Sequence, residues 1–585
     1  MSNSLFRTKS ISNILAEAEK GTTDTHKHTL HRVLTVRDLT FFGIAAILGA
    51  GSFSSLGGAV FHGGPGVVIL FVITAIACAF TAFCYSEFAS RIPVAGSAYT
   101  YAYASFGELF AWIIGWALIM EYSIGNIYVA YSWSDYFTSF LEKCNIHLPQ
   151  YLCTSYLEVK HALDNGSTNT EVVDAWNNAP VVGGLRMILD VPALVINLLI
   201  TYLVFRGVRE SRNFSNVMVV LKMVVVSLVI VVGAYLIFSN GLSFNWHPAN
   251  DEGVKSFMPN GFGGVMAAVA GVFFAYIGFD AVSVLAEESK NPQRDLPKGM
   301  ILSLVICTIV YILLSLVLTG AVNYRNFEGV GDPLAFIFEK QNLNVGWMQF
   351  FVAIAAVIAM TSVLLVFQMG QPRIWMSMSR DGLLPPVFQK IHPKFKTPSF
   401  ATIVTGLVVG IPILFTDKTF VLDFTSIATL FAFVLVCGGV LLIPRREKEP
   451  GLFHIPYING QFIFPLIVIA AMIIAFVLSK SYFTEMFNFD FSDNKDYLSE
   501  KISFMDAATP NIALIIFWIS ALALSILTMI KKYSLIPLMG LITCMYLLTG
   551  MTKSNWAWFL SWLTIGLIFY FLYGYRKSKL AQVGI

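Results

Sequence analysis

A chain of 585 residues would ordinarily divide into several soluble domains, but here 56% of residues are hydrophobic and only 12% are charged, and mean hydropathy is +0.70. That composition excludes an assembly of soluble domains and reads as one polytopic helical bundle in a membrane. The net charge of +3 identifies no partner, no basic tract interleaves with aromatics in the manner of a nucleic-acid binder, and no secretory signal is expected before the first apolar run.

Residues 1–37 are polar, carry Arg7, Lys9, Lys20, Lys27, Arg32 and Arg37, and read as a cytoplasmic tail. Apolar runs follow near 38–61, 66–90, 109–141, 190–206, 212–238, 263–286, 299–323, 347–372, 399–416, 420–443, 461–480, 511–530, 533–551 and 555–575. These make about 14 transmembrane helices, an even count that puts both termini on one side. Lysine and arginine favour the side of the N-terminal tail by more than two to one, so both termini are expected to be cytoplasmic.

The first run is interrupted by Gly49-Ala50-Gly51-Ser52-Phe53. Two glycines one residue apart, followed by serines, hold a helix poorly. In hydrocarbon a broken backbone persists only where protein or a wet cavity satisfies it. Such a break can aim a half-helix N-terminus at a carboxylate; a small-residue packing face is the other reading. Further on, Cys144 and Cys153 share an outside loop where pairing stays open, and the five other cysteines lie within spans. No spacing resembles a metal site. Lys222 lies deep in the run Val217 to Val226, where a charge costs about 2.5–3.5 kcal/mol, so a functional role is the default.

The sixth run repeats the interruption: Phe273-Phe274-Ala275-Tyr276-Ile277-Gly278-Phe279-Asp280 sets a glycine and a carboxylate in its middle. Two interrupted helices five spans apart point to a transporter site at the membrane midplane. One half-helix N-terminus suits a carboxylate and the freed carbonyls suit an ammonium, so an amino acid zwitterion fits both ends. Glu121 on the third run and Asp280 on the sixth each have three open roles: tuning Lys222, ligating a cationic substrate, or bonding nearby backbone. The outside loop at 481–510 is acidic and aromatic and reads as a solvated cap.

These motifs together resemble the amino acid–polyamine–organocation (APC) superfamily, and within it the cationic amino acid transporter (CAT) family. Gly49 to Phe53 is similar to its first-helix signature, with Ser52 where the family usually has isoleucine. Tyr85 to Tyr101, Glu287 to Pro292 with Pro297, Ser379 to Pro385 and the final stretch Trp556 to Tyr575 resemble its other motifs. The resemblance implies an all-α fold with a 5+5 inverted-repeat core at 38–443, four peripheral helices at 444–575 and a C-terminal tail at 576–585. It implies carboxylate binding by backbone N–H groups at Gly49, Ala50 and Gly51, and ammonium binding by carbonyls of Phe274, Ala275 and Ile277. Phe279 is a candidate gate, with ordinary packing as the alternative. Lys222 matches the fifth-span lysine of proton-coupled members; burial readies an ammonium to release its proton, while a lysine that never titrates is the competing reading.

The expected function is secondary active uptake of L-amino acids into the cell across the cell membrane, with a proton as coupling ion, no other cofactor and no enzyme activity. Facilitated diffusion or exchange, and a membrane amino acid sensor, remain as alternatives. Substrates are expected to be neutral or broad, or else cationic.

Overall fold

The computed structural model describes residues 5–11, 14, 34–49, 51–92, 97–164, 170–206, 212–250, 253–395, 397–444, 453–478, 480–488 and 504–582. Among these residues the helices are, in chain order, α1 (Val36–Ile47), α2 (Leu56–Gly63), α3 (Val67–Arg91), α4 (Ser97–Ser105), α5 (Glu108–Lys143), α6 (Tyr156–Asp164), α7 (Thr170–Asn178), α8 (Val191–Arg206), α9 (Arg212–Ser239), α10 (Gly261–Ala267) and α11 (Val269–Phe274). They continue with α12 (Pro292–Ala321), α13 (Pro333–Phe336), α14 (Gly346–Arg380), α15 (Ser399–Ile413), α16 (Lys418–Leu442), α17 (Gly460–Leu478), α18 (Tyr482–Met486), α19 (Phe504–Lys531), α20 (Leu535–Leu548) and α21 (Lys553–Phe569). A two-residue hairpin, Val181–Val182 with Leu185–Arg186, lies in the loop after α7.

Nine helices among the described residues are long and apolar enough to cross a membrane, and α8, α15 and α20 are shorter apolar helices. Their apolar residues point outward as well as inward: Val217, Val224, Val231 and Tyr235 of α9 are all exposed. A helix apolar on every face is what a lipid surround selects. The runs at 38–61 and 263–286 do not form single helices, and the last run, 555–575, passes from α21 into a π-helical turn at Tyr570–Gly574. The first divides into α1, a π-helical turn (Gly51–Ser55) and α2; the second divides into α10, α11 and a 3-10 stretch (Asp280–Glu288).

Polar side chains set the helix starts. Thr35 and Asp38 make a reciprocal cap on α1, the Thr35 N–H donating to Asp38 at 2.9 Å. Asp417 caps α16 by accepting from the Phe420 N–H at 2.8 Å. Such caps contribute about 1 kcal/mol each.

Antiparallel α5 and α14 are joined by polar rungs. Trp133 donates to Thr361 at 2.9 Å, Asn126 to Gln368 at 2.8 Å and Gln371 to Ser123 at 2.5 Å. Buried in hydrocarbon, these rungs fix the pair as one rigid unit. Glycines bring α12 onto α1: a Cβ at Gly43 would lie 2.4 Å from the Ser303 hydroxyl, and one at Gly299 2.8 Å from Leu39. The broken helices therefore lie between the α5–α14 pair and α12.

Candidate functional site

After α1 the backbone turns at Leu48 and re-forms as the π-helical turn. Inward-facing serines satisfy carbonyls around the break. The Ser52 hydroxyl donates to Gly49 O at 3.0 Å, Ser55 lies 2.8 Å from Gly51 O and 3.0 Å from Gly271 O, and Ser54 reaches Gly331 O at 3.1 Å. In the second break the chain passes through Gly278 at φ +113°, a conformation L side chains rarely adopt. A Cβ there would also lie 3.0 Å from Ala46 Cβ. At Gly51 an added Cβ would lie 2.5 Å from Ala275 Cα, so the two broken helices touch backbone to backbone.

A small void of about 10 Å³, room for about one water, lies at this contact, lined by Ala46, Ile47, Gly51, Val129, Phe274, Ile277, Val363 and Phe367. Of the expected substrate-binding residues, Gly51, Phe274 and Ile277 line it. Ala275 backs Gly51, while Gly49 packs on Val363, whose Cγ2 would lie 2.4 Å from an added Cβ. Ala50 lies outside the described residues. Phe279 does not line the cavity; its ring packs 6.0 Å from Tyr85 and 5.1 Å from Phe433. On α14 it is Val363 and Phe367 that line it.

Lys222 of α9 is 1% exposed. Its ammonium donates to the Ala45 carbonyl on the last turn of α1 at 3.1 Å and to the Ser362 hydroxyl of α14 at 2.7 Å. It thus ties the first broken helix to the rigid pair. Glu121 and Asp280 are both buried and near enough to repel one another; the Thr429 hydroxyl bonds Glu121, and backbone amides hold Asp280.

Beyond the cavity, the Tyr128 ring packs 4.6 Å from that of Phe274, and the Lys418 ammonium lies 5.7 Å over Tyr128. Lys418 pairs with Asp135, joining α16 to α5. At the opposite end, charged residues fall into three groups. Arg91 pairs with Glu87 at 2.7 Å. Glu108 accepts from Tyr103, Tyr570 and Ser578. Asp381 pairs with Lys9 at 3.0 Å and accepts from Tyr99 at 2.7 Å. The Glu287 side chain lies outside the described residues. Cys144 and Cys153 are free thiols.

Sequence reasoning did not find Val129, Val363, Phe367, Tyr311 (on α12, its hydroxyl 2.8 Å from Ile47 O and 2.6 Å from Ala275 O) or the Asp135–Lys418 pair. The first four are ordinary core residue types at helical spacing, and Lys418 sits at a span edge where a lysine attracts no notice. A larger groove of about 260 Å³ lies among α19, α20 and α21, lined by Ile512, Ile516, Phe517, Leu548 and Leu560. No charged group faces it.

The amino acid permease family matches residues 34–493. A branched-chain amino acid permease from Bacillus subtilis is 42% identical over 77% of this chain and 88% of its own length. A methylthioribose transporter from the same organism is 38% identical over 78% and 89%. A vacuolar cationic amino acid transporter from Arabidopsis thaliana is 36% identical over 72% of this chain and 60% of its own length.

Proposed function

The chain belongs to the amino acid permease family, and on that footing we propose that it is a proton-coupled importer of neutral, aliphatic L-amino acids. Transport of an amino acid across the membrane, and not enzymic chemistry, follows from the family itself. The topology we propose has fourteen spans in the cell membrane, a 5+5 inverted-repeat core and both termini in the cytoplasm.

The observation that carries the coupling is Lys222. A charge-assisted hydrogen bond contributes about 1.5–3 kcal/mol, and here two of them join α1 to α14. While Lys222 is protonated, the first break is held against the rigid pair. When the proton leaves, the neutral amine loses that charge-assisted grip and α1 can swing. Uptake then couples proton entry from outside to a hinge that alternates access to the cavity.

The substrate's carboxylate meets the backbone around Gly49 to Gly51, and its ammonium meets carbonyls of the second break. Its side chain occupies the apolar wall of Val129, Ile277, Val363 and Phe367. That wall offers nothing to a guanidinium, which favours neutral over cationic substrates.

The test is uptake by proteoliposomes of labelled leucine, arginine and methylthioribose, with and without an inward proton gradient, for the native chain and Lys222→Ala. We expect leucine to accumulate above equilibrium only with the gradient, and not in the variant. Gradient-independent leucine uptake that survives Lys222→Ala would replace the reading with a facilitator or exchanger. Binding without uptake would replace it with a sensor. Preferred uptake of arginine or methylthioribose would overturn the substrate assignment.

A further inference from the structure

We propose that the two ends of the chain form a clasp on the inner face, which pins α4 and slows the inward opening of the second broken helix. Residues 5–9 and 570–579 both lie outside the stretch, 34–493, that matches the permease family, yet they meet on its core. They meet at the inner end of the rigid pair, where α5 begins at Glu108 and α14 ends at Arg380.

The N-terminal strand caps α5, whose first N–H groups have no acceptor within the helix. The Glu108 and Leu109 N–H groups donate to the Arg7 and Leu5 carbonyls at 2.9 and 3.1 Å, and the Lys9 N–H donates to Tyr103 O at 3.1 Å. The C-terminal end closes over this strand. Trp116 donates to the Trp562 carbonyl at 2.9 Å and Trp562 to that of Trp116 at 3.1 Å, fixing α21 to α5. The π-helical turn that follows shifts the helix register, leaving Tyr570 fully buried while Phe571 and Leu572 face outward. The Tyr570 hydroxyl donates to Glu108 at 3.0 Å, joined by Tyr103 of α4 at 3.1 Å and by Ser578. The Lys579 N–H donates to Asp381 O at 3.1 Å, and the Arg7 guanidinium lies 5.9 Å from the Tyr575 ring centre.

Tyr99 and Tyr103, four residues apart, share the face of α4 that meets the clasp, Tyr99 donating to Asp381 at 2.7 Å. Tyr101 lies on the opposite face, 4.8 Å from the Phe88 ring and 6.2 Å from that of Tyr85, which meets Phe279 of the second break at 6.0 Å. α4 therefore stands between the clasp and the second break. While the clasp holds, α4 stays with the rigid pair, and the second break must leave those ring contacts behind to open. When the clasp yields, α4 can travel with the break and the contacts are kept, so the barrier falls. Ser578 acts as a positioning residue, aiming the Glu108 carboxylate at Tyr103.

This rests on the transport reading and topology above, and two readouts keep the proposals apart. Tyr103→Phe, Ser578→Ala, their double variant and Ser561→Ala are reconstituted and compared with the native chain for leucine–leucine exchange rate. Ser561 is exposed on the same last span, bonded to Ala557 O within its own helix and outside the clasp. Loss of the bond to Glu108 predicts exchange roughly five- to tenfold faster in Tyr103→Phe and about two- to threefold faster in Ser578→Ala. The double variant is no faster than Tyr103→Phe, because Ser578 acts on α4 through Glu108, and Ser561→Ala matches the native chain. Hydrogen–deuterium exchange in detergent needs no transport. Amides of α4 and of Asp280–Glu288 should exchange faster in Tyr103→Phe and Ser578→Ala, with those in the middle of α5 unchanged.

Unchanged or slower leucine exchange in Tyr103→Phe, acceleration in Ser561→Ala, additive effects in the double variant, or unaltered deuterium uptake at Asp280–Glu288 would each overturn the proposal. If the native chain exchanges no leucine, the transport reading fails, and deuterium uptake alone decides the clasp.

Discussion

The two breaks reach the same end by different chemistry. Around Gly49 to Ser55, hydroxyls of Ser52, Ser54 and Ser55 bond main-chain carbonyls, and Lys222 grips the preceding turn through Ala45. From Ala275 to Asp280, the Tyr311 hydroxyl bonds Ala275 O and backbone amides hold Asp280, while aromatic packing of Phe273 and Phe279 on Phe433 and one glycine in a left-handed conformation against Ala46 close the turn. The first clamp ties its broken helix to a neighbouring helix through an ammonium, whereas the second relies on backbone bonds, ring packing and shape. The contrast predicts that proton dependence enters through the first break, and that the second transmits it through direct contact at Gly51 and Ala275.

The sharpest way to break that contrast is at Gly278. Gly278→Val forces a β-branched residue to positive φ, at a cost of about 1–2 kcal/mol, and crowds Ala46. We expect loss of leucine uptake and a lowered melting temperature at every pH, measured by proteoliposome flux and thermal unfolding. Gly51→Ala comes next. Its Cβ meets the Ala275 backbone, so the breaks must separate; we expect folded, monodisperse protein with uptake reduced more than about tenfold, equivalent to some 1.4 kcal/mol.

Ser55→Ala removes a hydroxyl shared between Gly51 and Gly271 carbonyls, and should cost about 1 kcal/mol of stability. Uptake should persist with its proton dependence intact, since Lys222 remains in place. A loss of proton dependence in this variant would move the coupling from Lys222 to the serines.

The smallest effect lies outside both breaks. Burial, followed by the charges of Asp190, Glu142 and Asp135, pushes the Cys153 thiol up to about 12, so it carries almost no reactive thiolate at neutral pH. Exposed Cys144 should therefore take up maleimide readily and Cys153 hardly at all, read as mass shifts on the two peptides.

Much of this was legible in the sequence, for identifiable reasons. Gly49-x-Gly51 and Gly278 announce breaks because few other residues tolerate such backbone, and Lys222 stands out because a lone charge in an apolar run is costly. Phe279 shows the limit. An aromatic beside a break has no sequence signature separating a gate from packing, and its contacts with Tyr85 and Phe433 are long-range. The cavity wall was illegible for the same reason: Val129, Val363 and Phe367 are typical core residues, selected by how α5 and α14 pair. Tyr311 was hidden because its importance lies in two carbonyls that any residue at Ile47 and Ala275 would present.

The most direct test of proton coupling through the first break is proton flux itself. Proteoliposomes loaded with a pH-sensitive dye and given external leucine, with no imposed gradient, should acidify inside as leucine enters. Lys222→Ala vesicles should show leucine entry or exchange with no acidification. Equal acidification in the variant, or leucine entry into native vesicles without any, would contradict the claim that Lys222 couples the proton to the hinge.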